Sequence, residues 1–156
     1  MFVGTFKETI EGESRVAISP ESCKKLTDLG CTILIEKDAG VNSSFSNLSY
    51  QSAGAKLIDN KFDIINQADI LLSVTSIPDK KIIENSKQNL IVVGTFDPYE
   101  NNKILQSLAV KKVNVISLDL LPRISRAQSM DVLSSQANLA GYKAVVESFS
   151  IFERAV

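Results

Sequence analysis

"ADILLSV", residues 68–74, decides the fold. Its apolar side chains run on without the polar alternation of a strand that shows one face to water. So short an apolar run reads as a strand covered on both faces, as in a parallel sheet flanked by helices. "NLIVVGTF", residues 89–96, reads the same way. "FVGTF" (2–6), "CTILIE" (31–36), "AKLI" (55–58) and "VNVISLDL" (113–120) add four more strand segments. "CTILIE" carries the β-branched residues that suit a pleated surface.

Helical patterns alternate with these strands. Ser19 is placed to cap a helix with Pro20 at its first position, a helical pattern from Ser22 to Leu29, and Gly30 as its stop. "LSYQSAG" (48–54) reads as a short helix closed by Gly54. Residues 60–67 and 79–85 read as helices, the second weakly. "YENNKILQSLAVKK" (99–112) reads as a helix with Ile104, Leu105 and Leu108 on one face. The alternation predicts an α/β fold: an open, mostly parallel sheet with helices on both faces, a flavodoxin-like lobe ending in a long helix. No proline- or glycine-rich linker interrupts the chain, and its 156 residues suit one domain or one lobe.

Composition narrows the chemistry. Net charge is −1 with acids and bases interspersed, which gives no electrostatic grip on nucleic acid or anionic lipid. No apolar run is long enough to span a bilayer, and "MFVGTFKETIEGESR" lacks the basic flank and apolar core of a signal peptide, so the chain reads as cytoplasmic. There is no histidine, which excludes Ser-His-Asp and Cys-His catalysis within the chain. Cys23 and Cys31, the two cysteines, read as small buried hydrophobes, and without histidine no zinc-type ligand set can be assembled.

In such sheets ligands sit beyond the carboxyl ends of the strands. The loops there are "KETIEGESR" (7–15), "TSIP" (75–78), "GTFDPYEN" (94–101) and "PRISRAQSMD" (122–131). None contains G-x-G-x-x-G or G-x-x-x-x-G-K, so these residues carry no dinucleotide pyrophosphate site of their own. The last loop is the most polar. Ser125 and Gln128 have capping-box spacing and could open a helix at Ser125; Ser134 could equally be the cap, leaving 122–133 as a loop. Beyond it Ala137, Ala140, Gly141 and Ala144 form a small-residue stripe that would admit another backbone, and Phe149 and Phe152 extend an apolar face. The pattern is still amphipathic at Val156, so the helix reads as interrupted. Arg123, Gln128 and Asp131 suit either a solvated loop with a local ion pair or a ligand site. A guanidinium can clamp an anion, a glutamine amide matches a carboxamide, and Asp131 beside two arginines would stay ionised.

"PRISRAQSMDVLSSQANLAGYKAVVE" (122–147) resembles the hinge of the NAD(H)-binding alpha subunit of proton-translocating NAD(P) transhydrogenases. "ETIEGESRVAISPESCKKLTDLGCTILIEKDAG" (8–40) resembles the same family's opening segment, which alanine dehydrogenases share more distantly. The resemblance implies that Arg123, Gln128, Asp131 and Ser134 line a nicotinamide site and that Tyr142, at the head of the following helix, also belongs to the cofactor-binding residues. It implies direct hydride transfer from NADH to NADP⁺ held on a separate component, with a membrane component coupling the step to proton movement. No catalytic acid or base is implied, since no proton leaves the reacting carbon. Residues 1–156 would form one N-terminal lobe of a two-lobe cleft, the glycine-rich nucleotide lobe lying either on another polypeptide or on a longer chain of which this is a piece. NADP-binding and membrane partners and a homodimer would complete an assembly peripheral to the inner membrane. Alanine dehydrogenases place a lysine where Ser73 stands and a histidine in the region of "GTFDPYEN", which has none, so amino-acid oxidation is disfavoured. Arg15 could hold an anion or form a structural ion pair. A non-enzymatic remnant or interaction module of the same fold is the alternative.

Overall fold

The computed structural model describes residues 1–152. The chain divides into two compact units, Met1–Ser117 and a second from Leu118 onward.

The first unit is a six-stranded sheet: β1 (Phe2–Thr5), β2 (Thr32–Glu36), β3 (Lys56–Ile58), β4 (Ile70–Leu72), β5 (Ile91–Gly94) and β6 (Asn114–Ser117). The order is β3-β2-β1-β4-β5-β6 and every pairing is parallel. All six strands together give the order of the classic doubly wound sheet, and the flavodoxin-like order expected from the sequence is only its five-strand part, β2-β1-β4-β5-β6. The order reverses between β1 and β4, which leaves a crevice above their carboxyl ends.

Helices cover both faces. Leu34, Leu71 and Val92 point to one core with Ile64 and Ile65 of α3 (Lys61–Ile65), Ile83 of α4 (Lys80–Glu84) and Leu108 of α5 (Asn102–Val110). Val3, Ile33 and Ile35 point to the other, with Cys23 of α1 (Pro20–Asp28) and Tyr50 of α2 (Asn47–Ser52). Each fully buried aliphatic side chain contributes roughly 1.5–3 kcal/mol of transfer free energy. The uninterrupted apolar runs read from the sequence thus serve two cores at once.

Local signals explain the helix limits. Ser19 caps α1 by accepting from the Ser22 N–H at 3.2 Å, and Gly30 follows the helix at φ +85°. Asp79 caps α4 through Ile82 N–H at 2.9 Å. Three expectations need correction. Strand β6 stops at Ser117 instead of continuing to Leu120, because its partner β5 ends at Gly94, and Leu118–Leu120 tighten into a 3₁₀ turn. Helix α5 is shorter than residues 99–112. Its Ile104 is exposed while Leu105 and Leu108 face the core: Ile104 and Leu105 flank Leu108 at i−4 and i−3, and Ile104 lies on the outer border of that face.

The second unit holds a 3₁₀ helix (Ser125–Met130) and α6 (Val132–Ile151). Helix α6 buries no residue. A Cβ added at Gly141 would meet nothing within 4 Å. The expected interruption at Val156 falls on residues 153–156 and lies outside the described residues.

Candidate functional site

The hinge in the second unit is organised by Asp131. Its φ of −74° and ψ of 91° place it just outside α6. Its Oδ1 accepts the Ser134 N–H at 3.0 Å and its Oδ2 accepts the Ser134 hydroxyl at 2.6 Å. The cap is therefore Asp131, and both caps considered from the sequence, Ser125 and Ser134, are corrected. A carboxylate is the stronger acceptor for the free N–H groups of a helix start and is also favoured by the helix dipole. Residues 125–130 then form a separate 3₁₀ turn whose one buried side chain is Ala127.

Asp131 is held ionised below its ordinary range. The Ser134 hydroxyl is the largest cause, followed by the Ser134 N–H; the Arg123 charge is the smallest. The expectation that neighbouring arginines keep it charged thus gives way to a local cause.

Arg123, Gln128, Asp131 and Ser134 line one recess of about 670 Å³, with Pro122 and Ala137 among its walls. That volume lies within the range of small-molecule sites. Among the described residues, no hydrogen bond or ion pair holds the Arg123 guanidinium or the Gln128 amide, so the recess offers a cation, an amide that both donates and accepts, and a fixed carboxylate. Tyr142 is 74% exposed and does not line the recess; it stands midway along α6, not at the helix head expected from the sequence.

In the first unit the strand ends form a rim of their own. The Lys7 N–H donates to Glu36 Oε2 at 2.6 Å, tying the loop after β1 to the end of β2. Glu8 reaches the other way. Its Oε1 accepts Val74 N–H at 2.6 Å, and its Oε2 accepts Ser76 N–H at 2.9 Å and Thr75 N–H at 3.3 Å. The Ser73 hydroxyl lies 3.0 Å from Glu8 Oε1 and 2.6 Å from the Ser76 carbonyl. Burial alone would raise the Glu8 pKa, but the hydrogen bonds from Ser76, Val74 and Ser73 outweigh it and lower it.

Arg15 takes the ion-pair option. Its Nε donates to Glu13 Oε1 at 2.8 Å and a terminal nitrogen to Oε2 at 2.6 Å, which lowers the Glu13 pKa. Gly94 sits at the floor, where an added Cβ would lie 2.6 Å from the Ser73 carbonyl oxygen. Sequence reasoning passed over Glu8. Its signal is an acid three residues past a strand end, which becomes meaningful only once β4 is known to lie beside β1.

Among the described residues, no three His, Cys, Asp or Glu side chains gather as metal ligands, and no helix is long and apolar enough to cross a membrane.

A family model described as "Alanine dehydrogenase/PNT, N-terminal domain" matches residues 4–140. The chain is 39% identical over 151 residues to an NAD(P) transhydrogenase alpha-subunit protein of Rickettsia prowazekii (strain Madrid E), covering 95% of this chain and 39% of that one. It is 38% identical over 154 residues to the NAD(P) transhydrogenase subunit alpha of Cereibacter sphaeroides, covering 99% of this chain and 29% of that one. A crystal structure of transhydrogenase from Sinorhizobium meliloti superposes with a TM-score of 0.86 at 40% identity, over 97% of this chain and 46% of that one. The chain therefore spans less than half the length of each of these proteins.

Proposed function

This chain belongs to the family of alanine dehydrogenase/PNT N-terminal domains, and from that membership we propose that it serves as the first lobe of the NAD(H)-binding alpha subunit of a proton-translocating NAD(P) transhydrogenase. The second, glycine-rich nucleotide lobe is supplied from outside these 156 residues, as are the NADP-binding and membrane components. The observation that carries the reading is the recess that Arg123, Gln128, Asp131 and Ser134 share.

The nicotinamide pair supplies the chemistry, hydride donation by NADH and acceptance by NADP⁺. This chain supplies position. Gln128 pairs with a carboxamide, donating through its NH₂ and accepting through its oxygen. Arg123 steadies an anionic or carbonyl group. Asp131, pinned by Ser134, accepts a hydrogen bond in a fixed direction. Orientation of this kind suffices for a transfer that needs no general base, which suits a chain without histidine. Tyr142 belongs with the helix that leads away from the site. Against amino-acid oxidation stands Ser73, whose hydroxyl is engaged with Glu8 and the Ser76 carbonyl.

The test is to recover the chain undenatured from its cell of origin and to identify what accompanies it. A companion carrying a G-x-G-x-x-G strand–turn–helix, together with NADH-dependent reduction of an NADP analogue at the membrane, is expected. Recovery alone, with no such companion and no turnover, would favour the non-enzymatic interaction module.

A further inference from the structure

The crevice between β1 and β4 is where a doubly wound sheet ordinarily takes its ligand. Here it is floored by consecutive N–H groups of Val74, Thr75 and Ser76, which converge on one point as an anion-binding nest does. The group at that point is the carboxylate of Glu8, from a residue that is only 8% exposed. The Thr9 N–H adds a further tie to the Ser76 hydroxyl at 3.2 Å.

We propose that Glu8 is a built-in ligand: its carboxylate occupies the nest that an external carboxylate or phosphate would otherwise take, and so closes this crevice and fixes the loops after β1 and β4 as one rim. The inference does not depend on the nicotinamide reading, which concerns the hinge. Three convergent backbone donors would leave a costly set of unpaired N–H groups if the carboxylate were removed. The same donors make the vacated position attractive to a small anion of the same shape.

The lowered Glu8 pKa sets the direction of the pH response. With the folded value below the ordinary 4.5, the contribution of Glu8 is fully present above that pH and is lost as pH falls through the folded value. Arg15 is the charged group that senses Glu8, and it remains protonated throughout. Val74, Thr75, Ser76 and Ser73 do not titrate in this range.

The experiment is thermal melting of this chain in sodium acetate against sodium chloride at equal ionic strength, at neutral pH. The wild type should show no acetate-specific shift. Glu8→Ala should melt about 5–10 °C lower, and acetate should restore some of that loss in a saturable way. A saturable acetate effect on the wild type would overturn the proposal. So would a Glu8→Ala variant that melts like the wild type or ignores acetate. Should Glu8→Ala fail to fold, Glu8→Gln decides: its melting temperature should fall less than the wild type's as pH is lowered below 4.5, and equal falls would refute the assignment. None of these readouts involves NAD(H), so they stand or fall separately from the hinge site.

Discussion

Ser134 engages both carboxylate oxygens of Asp131, its N–H on Oδ1 at 3.0 Å and its hydroxyl on Oδ2 at 2.6 Å. One residue thus caps α6 and aims a charged acceptor into the recess that it shares with Arg123 and Gln128. Replacing Ser134 by alanine removes the hydroxyl and keeps the N–H. The Asp131 pKa should rise towards its ordinary 3.8, because the lost bond is the largest cause of its depression. Carboxyl NMR titration of the two proteins reads this directly, and an unchanged value would deny the hydroxyl that role.

Tyr50 is fully buried and donates its hydroxyl to the Ile18 carbonyl at 2.7 Å. Tyr50→Phe leaves that carbonyl without its partner and should cost about 1–3 kcal/mol in urea unfolding. Burial pushes the phenol up to about 12, with Cys23 adding to it. A folded value above the ordinary 10 means that stability is lost as pH rises from 10 towards 12. The phenylalanine variant should lack that alkaline loss, and the wild type should show it.

Gly94 permits the closest approach at the strand-end rim. In Gly94→Ala the new Cβ would lie 2.6 Å from the Ser73 carbonyl oxygen and the Phe96 ring. Backbone cannot yield as a flexible side chain can, so a loss of about 1–3 kcal/mol is expected from urea unfolding. A neutral outcome would show that β4 and β5 can part without penalty.

The sheet was legible in the sequence because its signals are local. Continuous apolar runs such as "ADILLSV" mark strands covered twice, and Ser19, Pro20 and Gly30 mark one helix from both ends. What escaped was set by partners. β6 ends where β5 ends, and Ile104 is left exposed at the border of the face whose centre, Leu108, is buried. At the hinge, serine spacing suggested two caps, whereas the stronger acceptor, Asp131, took the position. The recess residues could be named because their motif is long. Glu8 could not, because its donors lie 66 to 68 positions away in the chain.

The most direct measurement is the rate of NADH-dependent reduction of an NADP analogue by the proposed membrane assembly carrying Gln128→Ala or Arg123→Ala, beside the unsubstituted assembly. Each change removes a contact proposed for the nicotinamide end, worth about 1–1.5 kcal/mol for a neutral partner and more for a charged one. kcat/KM for NADH should therefore fall about 5- to 10-fold for Gln128→Ala, and further for Arg123→Ala. Both side chains are exposed, so the melting temperature should not move. Unchanged kcat/KM for NADH in both variants would contradict the assignment of the recess.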